Sequence, residues 1–156
     1  MAPVASLAEA SAAIAAGTLS PVALTEAALA RIAALDPKLN AFITITADRA
    51  RRAAAAAEAE IKAGKRRGPL HGIPYALKDI YDVAGVRTTA HSKLLLDNVP
   101  SEDATSTAKL EAAGMVLLGK LSTHEFARGG PTDALPFPNA KNPWNTAHFA
   151  GGSSSG

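Results

Sequence analysis

The chain has 156 residues, of which 47% are hydrophobic and 19% charged, a balance that supports a globular core and excludes a compositionally disordered chain. A formal net charge of +2 at pH 7 is too small to mark a nucleic-acid or membrane partner, and the absence of cysteine excludes disulfides and thiolate metal sites. No basic segment followed by a long apolar one opens the chain, and no apolar run approaches the roughly 18 residues that span a bilayer, so the expected location is cytoplasmic.

Leu7 to Ala16 is alanine-rich and predicts a helix that stops at Gly17. Ser20 followed by Pro21 predicts a second helix start, with the hydroxyl as N-cap and proline in the first helical position. Leu24, Ala28, Ile32 and Leu35 share one face of that helix, and Asp36-Pro37 is expected to end it. The stretch "NAFITI" reads as a short strand or an extended link. From Asp48 to Ala63 strong helix formers dominate, with Gly64 as the stop, and the five alanines Ala53 to Ala57 read as one side of a long surface helix. The basic run Lys65, Arg66, Arg67 lacks interleaved aromatics and reads as a solvated helix end rather than a phosphate-binding patch.

The character changes at "GPLHGIPYALKDIYDV". Gly68, Pro69, Gly72 and Pro74 punctuate a loop, and Tyr75 to Val83 is expected as a strand interrupted by Lys78 and Asp79. Lys78 admits two readings. It is an edge-strand lysine that faces solvent and discourages aggregation, or a buried lysine whose charged form is disfavoured, leaving an amine able to accept a proton. Spacing alone does not separate them. Further on, Asp103 or Ser101 is placed to cap a helix through Ala113, Gly114 to end it, and Met115 to Leu118 to form a short buried strand. Such a helix-then-strand unit belongs to α/β or α+β sheets. "NPWNTAHFA", with a proline and two asparagines, reads as loop.

Several motifs fail on chemistry. Gly114, Gly119 and Lys120 have the spacing of a phosphate-binding loop, yet Met-Val-Leu-Leu separates the glycines and Leu121 replaces the hydroxyl residue that would hold a metal. His124-Glu125 begins like a zinc-protease helix, but Arg128 stands where the second histidine belongs. His71, His91 and His148 show no ligand spacing and read as structural or hydrogen-bonding residues. The ending "AGGSSSG" reads alone as a flexible tail. Within it, Gly152, Ser154 and Gly156 satisfy G-x-S-x-G, a nucleophile elbow centred on Ser154; the segment before it does not read as a strand, and the sequence stops before the acid and histidine it requires, so the elbow stays open as an alternative.

Taken in order, "GIPYALKD", "GKLSTHEFA", "NPWN" and "GGSSSG", together with the alanine-rich N-terminal helices and "GVRTTAHS", resemble the amidase signature family, serine hydrolases and transferases acting on amides. The resemblance implies an α/β fold, a mixed β-sheet core covered by helices, with residues 1–156 as the N-terminal part of a single amidase domain. Residues 1–66 would be mostly helical, 67–156 would begin the catalytic core, and the C-terminal remainder would be absent. It implies a Ser-cisSer-Lys triad in which Lys78 activates a bridging Ser153 behind a cis Gly152–Ser153 peptide, with Gly151, Gly152 and Ser154 supporting the loop. The nucleophilic serine and the oxyanion amides are expected further along, outside this chain. Ala127, Arg128, Gly129 and Gly130 are expected to border the substrate pocket. His91, Ser122 and Ala150 depart from the glycine, asparagine and proline usual in the family, which leaves the triad intact and weakens any inference about substrate.

The implied activity is hydrolysis of a carboxamide or aryl amide through an acyl-enzyme. The alternatives are the amidase component of a glutamyl/aspartyl-tRNA amidotransferase, a non-catalytic fragment, and the elbow at Ser154. The 156 residues alone are expected to be inactive, because acyl transfer needs a nucleophile and oxyanion donors. The expected partner is a small-molecule amide, with no nucleic acid outside an amidotransferase complex, no membrane, and a homodimer as an allowed assembly. No cofactor and no metal are expected.

Overall fold

The computed structural model describes residues 6–156. Helix α1 (Leu7–Ala15) opens on a capping box, in which Ser6 Oγ accepts from the Glu9 N–H and the Glu9 carboxylate accepts from the Ser6 N–H. Helix α2 (Pro21–Leu39) starts as expected, with Ser20 Oγ accepting from the Ala23 N–H at 3.1 Å. It does not end at Asp36-Pro37. Proline so near the C-terminus costs few helical bonds, and the stop comes after it: Asn40 is left-handed (φ 54°) and Asp36 Oδ1 accepts from the N–H groups of Ala41 and Phe42.

"NAFITI" contributes strand β1 (Phe42–Ile45), followed by α3 (Ala47–Lys62). The alanine run exceeds one helical turn, so it is not confined to one side: Ala54 and Ala57 join Ala50 on the buried face while Ala55 and Ala56 are exposed. Strand β2 (Pro74–Lys78), helix α4 (Thr105–Ala112) and strand β3 (Val116–Leu121) complete a sheet in the order β1-β3-β2. Strand β1 runs antiparallel to β3, pairing Phe42 with Leu121, Thr44 with Lys120 and Ile45 with Gly119. Strand β2 runs parallel to β3, since Ile73 O accepts from Val116 N–H and, further along both strands, Asp79 N–H donates to Leu121 O. The sheet is therefore mixed, and the fold is α/β.

Four further expectations change. Strand β2 stops at Lys78 rather than Val83, because the N–H groups of Ile80 and Tyr81 both turn back onto Lys78 O. Strand β3 does not stop at Leu118 but continues through Gly119 and Lys120 to Leu121. Helix α4 begins at Thr105, and Asp103 Oδ1 instead accepts from Ala84 N–H at 2.7 Å. "NPWNTAHFA" is not a loop: β4 (Lys141–Asn142) and β5 (Asn145–Phe149) form a hairpin. Pro143 and Trp144 occupy its turn, where Asn142 Oδ1 accepts from Trp144 N–H, so the residues read as loop formers are the turn itself.

The chain divides into two compact units. The first comprises the residues up to Arg31, Thr46–Tyr75 and Lys109–Leu118. Its core gathers Ala10, Ile14, Leu19, Ile73 and Met115, with Leu24, Ile61 and Leu110 packed against them. The basic run lies in this unit and is tied down: Arg66 donates to Ser11 and Arg67 pairs with Glu60 at 2.7 Å. The second unit comprises Ile32–Ile45, Ala76–Ala108 and Gly119–Gly156, and its interior is largely polar, including Asp79, Thr88, Thr89, His91, Lys120, Thr123 and His124.

In the first unit His71 is buried, its Nδ1 accepting from Arg67 N–H at 3.1 Å, an arrangement that requires an unprotonated Nδ1. Burial, followed by the charge of Arg67, holds its pKa below the usual histidine value of 6.5, with Glu60 acting in the opposite direction. Unfolding at mildly acid pH therefore takes up a proton. Stability should be complete above about pH 6.5 and fall as the pH drops below it, and His71→Asn, which keeps the acceptor, should flatten that fall in urea titrations at several pH values.

Candidate functional site

Lys78 is the last residue of β2, an edge strand, but its amine does not simply face solvent. The side chain is half-buried and Nζ donates to Ser153 Oγ at 2.6 Å. Ser153 is held from behind by the segment that continues β3: His124 N–H donates to Ser153 O at 3.0 Å, and Thr123 and Ser154 form an antiparallel bridge. Ser122 O accepts from the N–H groups of Ser155 and Gly156. The Gly152–Ser153 peptide bond is cis. Gly151 has a φ of 93°, a region that favours glycine, and a Cβ on Gly152 would overlap the His124 imidazole. That ring has no freedom to withdraw without loss, because His124 Nδ1–H donates to Gly129 O at 2.7 Å.

Directly after Lys78 comes a group of buried charges that sequence reasoning missed. Asp79 and Lys120 are both fully buried, with Lys120 Nζ 3.0 Å from Asp79 Oδ1. That approach lies outside hydrogen-bond angles and acts as a charge contact, while the ammonium donates to Thr88 Oγ1 at 2.6 Å. The other carboxylate oxygen accepts from Thr89 N–H and Thr89 Oγ1 at 2.9 and 2.6 Å. Burial pulls the Lys120 ammonium below the ordinary lysine value, and Asp79 acts against that. The available signal was the charged residue inside an otherwise apolar run, "MVLLGKL", which only a buried partner makes tolerable.

The remaining expected residues are dispersed. Ala127 ends a short 3-10 turn (Glu125–Ala127), and Arg128, Gly129 and Gly130 are exposed, joined to the site through the His124–Gly129 hydrogen bond. The second unit's cleft, of about 790 Å³, is lined from Pro131 onward by Phe137, Lys141 and His148 among others, and includes none of Lys78, Ser153 or residues 127–130. His91, at φ 56°, places Nδ1 and Nε2 within 2.5 and 3.0 Å of the carbonyl oxygens of Thr123 and Phe137. Ser154 lies in backbone paired to Thr123, and strand β5 ends shortly before it. Among the described residues no group of three His, Cys, Asp or Glu side chains could hold a metal, and no helix is long and apolar enough to cross a membrane.

A lysine amine is thus bonded to a serine on a glycine-rich loop beside a mixed sheet. The chain belongs to the Amidase family, whose sequence model matches residues 23–156. It is similar to a glutamyl-tRNA(Gln) amidotransferase subunit of Roseiflexus sp. (strain RS-1), 50% identical over 140 residues that cover 90% of this chain and 28% of that protein. The protein of the same name from Geobacter metallireducens is 51% identical over 138 residues, 88% of this chain and again 28% of the relative. This chain thus spans little more than a quarter of those relatives. Among solved structures, the peptide amidase of Stenotrophomonas maltophilia superposes with a TM-score of 0.86 at 38% identity, over 97% of this chain and 32% of that one. A bacterial aryl acylamidase of the amidase signature family gives 0.86 at 31% identity, over 96% and 31%.

Because Gly152 lies against the pinned His124 ring, Gly152→Ala should cost about 1 to 3 kcal/mol in urea unfolding. In a crystal structure of the variant the Lys78–Ser153 contact should be longer than in the parent. A parent-like midpoint with the contact retained would contradict the packing argument.

Proposed function

We propose that the protein is an amidase in which Lys78 is the proton acceptor and Ser153 the hydroxyl that relays the proton, with residues 67–156 forming the start of the catalytic core. The observation that carries the reading is the 2.6 Å contact between Lys78 Nζ and Ser153 Oγ in a chain of the Amidase family. A serine hydroxyl is a weak nucleophile until a base takes its proton, and a neutral amine at this distance is a competent base. On this reading the attacking serine, which the resemblance places outside residues 1–156, gives its proton to Ser153 Oγ as Ser153 gives its own to Lys78 Nζ. The new C–O bond forms, the C–N bond breaks, and the proton returns along the same path to the departing amine. Water then cleaves the acyl ester. The substrate class is a carboxamide, and residues 127–130 border it.

A second reading is favoured by the names of the relatives at 50% and 51% identity: the same chemistry would serve a glutamyl-tRNA(Gln) amidotransferase assembled with partner proteins. Co-expression with candidate partners, followed by an assay for tRNA-dependent amide transfer, separates it from a stand-alone amidase.

In the complete gene product, Lys78→Ala should lower kcat on an aryl amide by about 10² to 10⁴ while the circular dichroism spectrum and unfolding midpoint stay near those of the parent. Lys78→Arg should not restore it, since a guanidinium stays protonated and has no lone pair with which to accept the Ser153 proton. Rescue by arginine, or Lys78→Ala kinetics within about twofold of the parent, would overturn the assignment.

A further inference from the structure

We propose that Asp79, Lys120, Thr88 and Thr89 form a positioning device that fixes Lys78 against Ser153; the proposal rests on the roles given to those two residues above. Asp79 follows Lys78 directly and is fastened on every side. Its N–H donates to Leu121 O at 3.0 Å and its carbonyl accepts from Ala90 N–H at 2.8 Å. Its carboxylate takes two hydrogen bonds from Thr89 and faces the Lys120 ammonium, which is in turn bonded to Thr88. Thr89 Oγ1 also accepts from His91 N–H, so one hydroxyl joins the carboxylate to the following loop. All four residues are at most 3% exposed.

An ion pair buried this deeply adds little net stability over apolar residues of the same volume, because desolvation offsets most of the attraction. What it supplies is direction, since hydrogen bonds and charges hold at one geometry where apolar contacts slide. The direction matters here because one length of chain serves both partners. Lys120 and Leu121 hold Asp79, and Ser122, Thr123 and His124, the next residues along, hold the backbone of Ser153 to Gly156. The distance between the amine and the hydroxyl is thereby set by a single strand, and Asp79 is the point where β2 is locked to it.

The test compares Thr89→Val, which removes the hydroxyl, with Thr89→Ser, which keeps it, in the complete gene product. Thr89→Val should lower kcat about tenfold or more with KM within about threefold, because a small misplacement of a reacting group acts on the rate rather than on binding. Thr89→Ser should remain within about threefold of the parent, and a crystal structure of Thr89→Val should show Lys78 Nζ and Ser153 Oγ beyond about 3.2 Å. Lys120→Met, which leaves the carboxylate without its cation, should show the same lengthened contact; if it does not fold, the Thr89 pair decides. A parent-like kcat with the contact intact in Thr89→Val, equal losses in both Thr89 variants, or a change confined to the unfolding midpoint would overturn the proposal. The catalytic reading fails separately, on Lys78→Ala retaining activity, and the contact length in Thr89→Val still judges the positioning role in that case.

Discussion

A strand buried along nearly its whole length must satisfy its backbone on both edges, and β3 does so with β1 on one side and β2 on the other. The requirement reaches past the sheet. Past Leu121, where β3 ends, Ser122 O accepts from Ser155 and Gly156 and His124 N–H donates to Ser153 O, while Ser122 N–H goes to Ala41 O. The glycine-rich ending is thus ordered by the same rule that orders the sheet. Glycine at 152 suits that edge because it presents no bulk to the His124 ring, and glycine at 156 because a Cβ there would meet Ala41 O.

The helices were legible because their signals are local. Ser20 and Pro21 mark a start within two adjacent positions, and the alanine, glutamate and arginine of α3 carry their preference in composition alone. The end of α2 was not legible, because Pro37 advertises a stop while Asp36 and Asn40 perform it later. Strand β3 looked shorter than it is for a related reason. Gly119 and Lys120 interrupt an apolar run, and the carboxylate that makes Lys120 admissible is Asp79, the residue just past β2 and distant in sequence. The hairpin of β4 and β5 was hidden because Pro143 and the asparagines concentrate at its turn and mask the short strands on either side.

The site divides in the same way. Lys78 and Ser153 were found through an ordered set of motifs, not through any property of a lone lysine or serine. The parts that hold them, Asp79, Lys120, Thr88, Thr89 and His124, carry no motif of their own, because a buried network is defined by which side chains meet across the fold. The two units show the contrast in composition: the first closes around Ile14, Ile73 and Met115, and the second around hydroxyls, imidazoles and one ion pair. Polar interiors specify geometry at the expense of tolerance, and that is the interior against which the lysine and serine are set.

The alanine face of α3 carries a different kind of restriction. With only methyl groups at Ala50, Ala54 and Ala57, the buried face of the helix presents far less bulk than leucine or valine would. Such a surface has almost nothing to lose by truncation, and each replacement by glycine costs only about 1 kcal/mol of helix propensity. Enlargement is another matter at Ala50 and Ala54, both 0% exposed, where overpacking costs about 1 to 3 kcal/mol, whereas Ala57 borders a cavity of about 180 Å³. Substitution is one-sided at Ala50 and Ala54, so in a saturation library those two positions would be read by a volume ceiling as well as by hydrophobicity, with Ala57 the more permissive of the three.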